Sequence, residues 1–292
     1  MTSPIDIVRG HITSGRLPSA VLGIADAAGV QELVAFGARA DDRYPLFSIT
    51  KPIVALAAAR LIEQGRLSAD TTLVTAVPGF ADRTTTLAHL ASHTSGLDEP
   101  VLDTAVPLRR ELISRGQIFS PGSAVQYSTL AYTGIAALIE HAGGRGWEAE
   151  VDDLFASLGS PHAVSTDLAD ALPVADAAAA GHDMAVFAAQ RNPGAGLAGR
   201  AEDLLRLGSA LLRIAAGDPR GLLTPPLSMP CVRRAPSASR APTRDHRRRI
   251  VNGVSAGTSP RPDSAKQPSS VTAGGRARSS GSTPPRGAHG CF

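Results

Sequence analysis

Residues 47–65 read FSITKPIVALAAARLIEQG, and this stretch decides how the chain is interpreted. Lys51 is the only lysine among the first 265 residues, where arginine otherwise supplies the positive charge. It follows Ser48 by three positions, a spacing that places two side chains on the same face of a helix, one turn apart. An unprotonated lysine amine can accept the proton of a serine hydroxyl and turn the serine into a nucleophile. Ser48 and Lys51 are therefore the first candidate catalytic residues.

The residues around this pair predict a helix over 48–64. Alanine and leucine dominate it. Pro52 falls in the first turn, where its missing N–H costs no hydrogen bond, and Gly65 stands where a C-terminal cap belongs. Apolar positions nearly encircle the helix, which indicates burial on all sides. Such a helix suits a preorganised nucleophile, whereas the alternative is an ordinary N-cap serine with a charge nearby.

Three further segments carry motifs in a familiar order: residues 90–97 (LASHTSGL), Tyr127-Ser128-Thr129 shortly after residues 121–123 (PGS), and residues 198–204 (AGRAEDL). With residues 48–67 they resemble the serine β-lactamase and penicillin-binding-protein superfamily. The most similar branch holds class C β-lactamases, D-alanyl-D-alanine carboxypeptidases and related esterases. The resemblance covers residues 1–225.

The resemblance implies an α+β fold of the β-lactamase/transpeptidase type. An antiparallel sheet flanked by helices lies beside an all-helical subdomain, with the site in the cleft between them. It implies acyl transfer to Ser48, with Lys51 and Tyr127 moving the serine proton to the leaving group and the Ser48 N–H forming half of an oxyanion hole. Thr129 is implied as a substrate-binding residue. The implied substrates are small-molecule esters, amides or β-lactams, and no metal or organic cofactor is implied.

Two departures from the family pattern bear on activity. The second motif usually ends in asparagine, and Thr129 replaces only part of that amide's hydrogen bonding, which favours ester hydrolysis over β-lactam turnover. The third motif, Lys or His followed by Thr or Ser and then Gly, should follow residue 225. The nearest string, residues 287–290 (GAHG), lacks the middle hydroxyl residue. In the family this motif lies on a strand of the sheet, and without that strand we expect an incomplete sheet, poor folding and a weak or inactive enzyme.

Composition divides the chain at residue 225. Residues 226–292 carry 12 basic and 2 acidic residues and both cysteines, Cys231 and Cys291, whereas residues 1–225 have a net charge of −7. A basic, pattern-free segment cannot bury enough apolar surface to offset its ordering entropy. We therefore expect a hydrolase domain over 1–225 and a disordered Arg/Ser/Pro/Gly-rich tail over 226–292. Scarce lysine and abundant alanine indicate a GC-rich gene, so we hypothesise that the tail is a frameshift product, which the other two reading frames beyond codon 225 would test.

Two other classes of function stay open. A non-catalytic β-lactamase-like protein that binds a ligand or a partner would explain the missing third motif. Association with nucleic acid would use the arginine clusters at 233–234 and 247–249 on phosphates, and it is the less favoured alternative. Labelling of Ser48 by an acylating probe, and salt-dependent binding that is lost on truncation at 225, distinguish these classes.

The remaining patterns predict strands over 20–25 and 32–38 with a turn at Gly29. They predict helices over 4–14, 85–92, 108–115, 130–141, 147–158 and 202–215. His93 is interpreted as a structural histidine that holds a loop. No His/Cys/carboxylate set has metal-ligand spacing. No apolar run approaches the ~20 residues of a membrane span, and residues 1–10 lack a signal-peptide pattern, so we expect a cytoplasmic protein of a bacterium.

Overall fold

A computed structural model describes residues 3–218 and 222–223, all within the first of the two units into which the chain divides. The expectations for residues 226–292, including the disordered tail and the GAHG string, lie outside the described residues. The described elements, in chain order, are α1 (Pro4–Thr13), β1 (Ala20–Asp26), β2 (Gly29–Phe36), β3 (Tyr44–Pro45), a 3-10 turn (Phe47–Ile49), α2 (Thr50–Glu63), a second 3-10 turn (Leu73–Thr75), α3 (Leu87–Ala91), α4 (Leu108–Ser114), α5 (Ala131–Gly143), α6 (Trp147–Ala156), β4 (Val164–Ser165), α7 (Met184–Ala189), β5 (Ala198–Gly199) and α8 (Ala201–Ala215).

The helical core forms around α2, α5 and α6, which pack against one another. Ile53, Val54 and Leu61 of α2 are fully enclosed. Every residue of α5 from Ala131 to Ile139 is buried, which agrees with its nearly uniform apolar sequence. A helix that is apolar on all sides is stable only inside such a core. The predicted burial of α2 is therefore confirmed, and it fixes the helix that carries Lys51.

The sheet begins with the antiparallel hairpin of β1 and β2, which α8 covers. Gly23 of β1 allows a close approach, because a Cβ there would lie 2.2 Å from Leu205 Cδ1 of α8. The far end of α8 adds a small apolar cluster in which Ile214 and Leu223 pack with Ala59 of α2. This cluster adds apolar contacts to the side of α2 that carries Ala59.

A separate three-stranded sheet, in the order β3-β5-β4, lies next to the start of α2. Its strands are two residues long, and both pairings are antiparallel. Directly after β3, the N–H of Leu46 donates to the carbonyl of Leu197 at 2.7 Å. The sheet thereby anchors the chain one residue before the Phe47–Ile49 turn.

The architecture is thus α+β with small antiparallel sheets, as predicted, but several bounds were wrong. The strand expected over 32–38 spans Gly29–Phe36, because the Asp26 carboxylate accepts from the N–H groups of Ala28 and Gly29 and closes a tight turn before it. The helix expected over 48–64 divides into a 3-10 turn and α2. Helix α7 and strands β3 to β5 were not predicted. None of the helices among the described residues has the length and apolar character needed to cross a membrane.

Candidate active site

Ser48 lies in the middle of the 3-10 turn Phe47–Ile49, immediately before α2. It is exposed, although we expected it to begin a helix that is buried on all sides. The residue before it, Phe47, has a φ of +43°, which is unusual for a bulky residue. The Phe47 ring stacks on Phe187 of α7, with 5.5 Å between the ring centroids. Backbone strain of this kind persists only where surrounding contacts hold it, and here it presents the serine at the surface.

Lys51 is in the first turn of α2, and only 4 % of its surface is exposed. Its Nζ lies 3.2 Å from Ser48 Oγ, 3.2 Å from Thr129 Oγ1 and 2.8 Å from the carbonyl oxygen of Gly194. These three groups come from distant parts of the sequence and satisfy the amine completely. An unprotonated Lys51 that donates to Gly194 and Thr129 would direct its lone pair at the Ser48 hydroxyl.

Tyr127 is the second side chain that bonds Ser48, and its hydroxyl lies 2.8 Å from Ser48 Oγ. Its ring centroid is 4.7 Å from Lys51 Nζ. Partial burial acts to raise the pKa of Tyr127, but the hydrogen bond with Ser48 and the interactions with Lys51 together lower it below its ordinary value. The proximity that the motif predicts is therefore present, while a catalytic role for Tyr127 stays a prediction.

Thr129 ends the same segment and contacts Lys51 rather than standing free for a substrate. Its side chain is largely buried, at 9 % exposure. A hydroxyl that already bonds the lysine can offer a ligand only its remaining hydrogen-bonding capacity. Its role as a substrate-binding residue stays a prediction.

Gly194 is a part of the site that sequence reasoning missed. Its carbonyl accepts from Lys51, and its N–H donates to the Oδ1 of buried Asn192 at 2.8 Å. A Cβ at Gly194 would lie 2.7 Å from the carbonyl oxygen of Thr129, so only glycine fits this approach. The string Asn192-Pro193-Gly194-Ala195-Gly196 is a turn signal that could have drawn notice to the position, although not to its contact with Lys51.

We predict that Gly194→Ala lowers both stability and activity. The added methyl must displace the Thr129 backbone or the 192–196 turn, at a cost of about 1–3 kcal/mol. It also shifts the carbonyl that holds Lys51, so kcat should fall by roughly tenfold or more. Gly208→Ala in α8 is the matched control, because a Cβ there meets nothing within 4 Å. Thermal unfolding and ester hydrolysis measure the two effects, and an unchanged Gly194→Ala protein would contradict the tight approach.

His93 lies beside this site, with its ring centroid 4.5 Å from that of Tyr127. His89 caps its own helix by bonding with Thr86, and His162 pairs with Asp152. Among residues 3–218 and 222–223, no group of three or more His, Cys, Asp or Glu side chains could hold a metal ion.

In this site, a serine bonds both a buried lysine and a phenol. The site lies at the junction of a helical core and a small antiparallel sheet. The sequence matches the model of the Beta-lactamase family over residues 5–279. The chain therefore belongs to the Beta-lactamase family. The match also runs through much of the range that we assigned to a tail.

Relatives with known names support this placement. The chain is 37% identical over 145 residues to Esterase EstB from Burkholderia gladioli, which covers 40% of this chain and 37% of that protein. The fold is similar to that of EstCE1, described as a hydrolase with promiscuous acyltransferase activity, with a TM-score of 0.60, 24% identity, and coverage of 75% of this chain and 73% of that one. It also resembles the octameric penicillin-binding protein homologue from Pyrococcus abyssi, with a TM-score of 0.59, 17% identity, and coverage of 75% and 57%. The matched region thus spans little more than a third of the curated esterase.

Proposed function

We propose that the protein is a serine hydrolase that forms an acyl-enzyme on Ser48. The observation that carries this proposal is the hydrogen-bonded chain in which Ser48 Oγ lies 2.8 Å from the Tyr127 hydroxyl and 3.2 Å from Lys51 Nζ. A serine hydroxyl becomes a nucleophile only when a neighbouring group can take its proton, and here two such groups are in reach. Membership of the Beta-lactamase family and similarity to an esterase support the same reaction.

The proposed reaction starts when Ser48 Oγ attacks the carbonyl carbon of the substrate. Its proton passes to Lys51 or Tyr127 and is then delivered to the leaving oxygen, which departs as an alcohol. The lowered pKa of Tyr127 supports a phenol that exchanges protons within this chain. The N–H of Ser48 supplies one oxyanion donor. Water then gives up a proton to the same groups and attacks the acyl carbonyl. The bond between the acyl carbon and Ser48 Oγ breaks, Ser48 Oγ takes the proton back, and the carboxylic acid is released.

We propose small-molecule esters as the preferred substrates, ahead of amides and β-lactams. Thr129 occupies the position where the family's asparagine amide would bind the substrate, and its hydroxyl already contacts Lys51. An amide offers two donors and an acceptor to a substrate side chain, whereas a hydroxyl offers less. The resulting site depends less on a substrate amide group. Similarity to Esterase EstB favours the same order.

Covalent labelling with a fluorophosphonate tests the proposal directly. We expect the protein to be labelled at Ser48 and the Ser48→Ala variant to stay unlabelled. Ser14→Ala is the matched control, because Ser14 is an exposed serine at the end of α1 that bonds only within its own turn. A folded protein that no acylating probe modifies would favour the non-catalytic ligand-binding alternative. A penicillin-type probe used in parallel reports whether β-lactams are also accepted.

A further inference from the structure

The segment that carries Tyr127 and Thr129 is held by two residues that the reaction itself does not use. It has no regular secondary structure until α5 begins at Ala131. A loop without a ladder of backbone hydrogen bonds needs other partners for its buried N–H groups. Four N–H groups of this loop bond either to His93 or to Glu99, namely those of Gln126, Ser128, Thr129 and Leu130.

His93 binds the first half of the loop. Its carbonyl accepts from the N–H of Gln126 at 2.9 Å, and its Nδ1 accepts from the N–H of Ser128 at 3.1 Å. These two bonds flank Tyr127, and the imidazole ring packs against the phenol ring at 4.5 Å between centroids. His93 has a φ of +58°, in the left-handed region that few non-glycine residues adopt. Because Nδ1 accepts, the neutral ring carries its proton on Nε2.

Glu99 binds the second half of the loop. Its carboxylate accepts from the N–H of Thr129 at 2.9 Å, from the N–H of Leu130 at 3.1 Å, and from the hydroxyl of Ser128 at 2.8 Å. The Ser128 hydroxyl in turn accepts from the N–H of Ala131 at the first position of α5. A carboxylate at the start of a 13-residue helix is also stabilised by the helix dipole.

We propose that His93 and Glu99 are positioning residues that set the distance from the Tyr127 hydroxyl to Ser48 and from Thr129 to Lys51. This inference rests on the proposed function, since the geometry that they hold is that of the acyl-transfer site. Neither side chain contacts Ser48. The two bonds of His93 flank Tyr127, and those of Glu99 lie on either side of Thr129, so together they form a clamp on the loop. Losing the bonds of His93 would free Tyr127 to move away from Ser48, and losing those of Glu99 would free Thr129 to move away from Lys51.

The clamp is sensitive to pH on the acid side through His93. Burial, and after it the charge of Lys51, lower the pKa of His93, while Glu99 and the bond with Ser128 oppose this. The other titratable groups facing its ring are Tyr127 and Tyr132. The bond from Ser128 exists above the pKa of His93 and is lost as pH falls below it, because a protonated Nδ1 can no longer accept. Activity should therefore fall on the acid side, at a pH below the ordinary histidine value.

Two His93 variants separate the acceptor from the ring. Asparagine places an oxygen near the position of Nδ1, tolerates a positive φ and does not titrate. Phenylalanine keeps a ring beside Tyr127 but cannot accept from Ser128. With 4-nitrophenyl acetate, we expect His93→Asn to keep kcat within about tenfold at pH 8 and to lose the part of the acid limb that protonation of His93 causes. We expect His93→Phe to lose about 10²-fold in kcat at every pH with little change in KM.

A matched pair of variants tests Glu99. Glu99→Gln keeps one acceptor oxygen and should lose less activity than Glu99→Ala, which removes the three bonds. Circular dichroism shows whether each variant is folded. Glu99→Gln keeps the test valid if Glu99→Ala does not fold, because it alters the charge and only part of the hydrogen bonding.

A second readout does not depend on catalysis. The titration of the Tyr127 phenol is obtained from ultraviolet absorbance by subtracting the curve of the Tyr127→Phe variant. We expect its midpoint to move upward in His93→Phe, because the phenol leaves its place beside Ser48 and Lys51. In Glu99→Ala the loss of the Glu99 charge, which raises the pKa of Tyr127, acts against that movement, so His93→Phe is the variant that this readout tests. If kcat is unchanged in both variants and this midpoint is unchanged in His93→Phe, the clamp is overturned although the hydrolase proposal stands. If the midpoint moves while the unaltered protein neither hydrolyses esters nor takes a fluorophosphonate, the clamp is real and the hydrolase proposal fails.

Discussion

Ser48→Ala is expected to abolish ester hydrolysis, with a fall in kcat on the order of 10⁴-fold or more, down to the background rate. Ser48 Oγ is the atom at which the contacts of Lys51 and Tyr127 meet, and alanine leaves no nucleophile there. The initial rate of 4-nitrophenyl acetate hydrolysis measures the effect. Stability should hardly change, since the side chain is exposed and its removal creates no buried cavity.

The control for this experiment is Ser14→Ala, which should keep full activity. Ester hydrolysis that persists in purified Ser48→Ala at the rate of the unaltered protein would assign the chemistry to another residue. That outcome would end the serine mechanism at this site, whatever the fold.

Lys51→Met is expected to have the second largest effect, a loss of about 10²–10⁴-fold in kcat. Methionine approximates the length and volume of the lysine stem, so the core around α2 should be preserved. The variant removes the amine that bonds Ser48, Thr129 and Gly194 together. Single-turnover acylation by a fluorophosphonate measures the loss before deacylation complicates the rate.

Lys51→Arg distinguishes two explanations for that loss. A guanidinium keeps the positive charge but cannot act as a base, because it is always protonated in proteins. If Lys51 is needed to take the serine proton, Lys51→Arg should be as inactive as Lys51→Met. An arginine variant that retains near-normal activity would show that Lys51 acts through its charge alone.

Local signals account for most of the helices that the sequence predicted. Pro52 and Gly65 bracket α2, and the apolar run of α5 indicates burial without any knowledge of its neighbours. Helix α7 was missed although Asp183 caps it, because six residues in an alanine-rich stretch carry too little periodicity to stand out. The strands β3, β4 and β5 were missed for a related reason, since two residues of extended chain have no pattern.

The site residues also separate into those that a local sequence pattern indicates and those that only the tertiary fold brings together. The spacing of Ser48 and Lys51 is local, so the sequence alone could suggest their contact. Tyr127 entered through family resemblance, because nothing in the spacing between it and Ser48 specifies proximity. Gly194 and Glu99 could not be predicted, since one acts through a backbone carbonyl and the other by binding N–H groups of a distant loop. Such contacts are set by the tertiary fold rather than by residue type.

The contacts of Lys51 with Thr129 and Gly194 also relate the activation of Ser48 to the progress of folding. Thr129 and Gly194 are 78 and 143 positions away from Lys51 along the chain. Contacts of such long sequence separation form only after the intervening chain has been closed into loops, so they accumulate late. Reactivity of Ser48 toward an acylating probe during refolding should therefore lag behind the recovery of helical circular dichroism. In a nascent chain that has not yet emerged beyond Gly194, Lys51 would lack its Gly194 partner and Ser48 would not yet be activated.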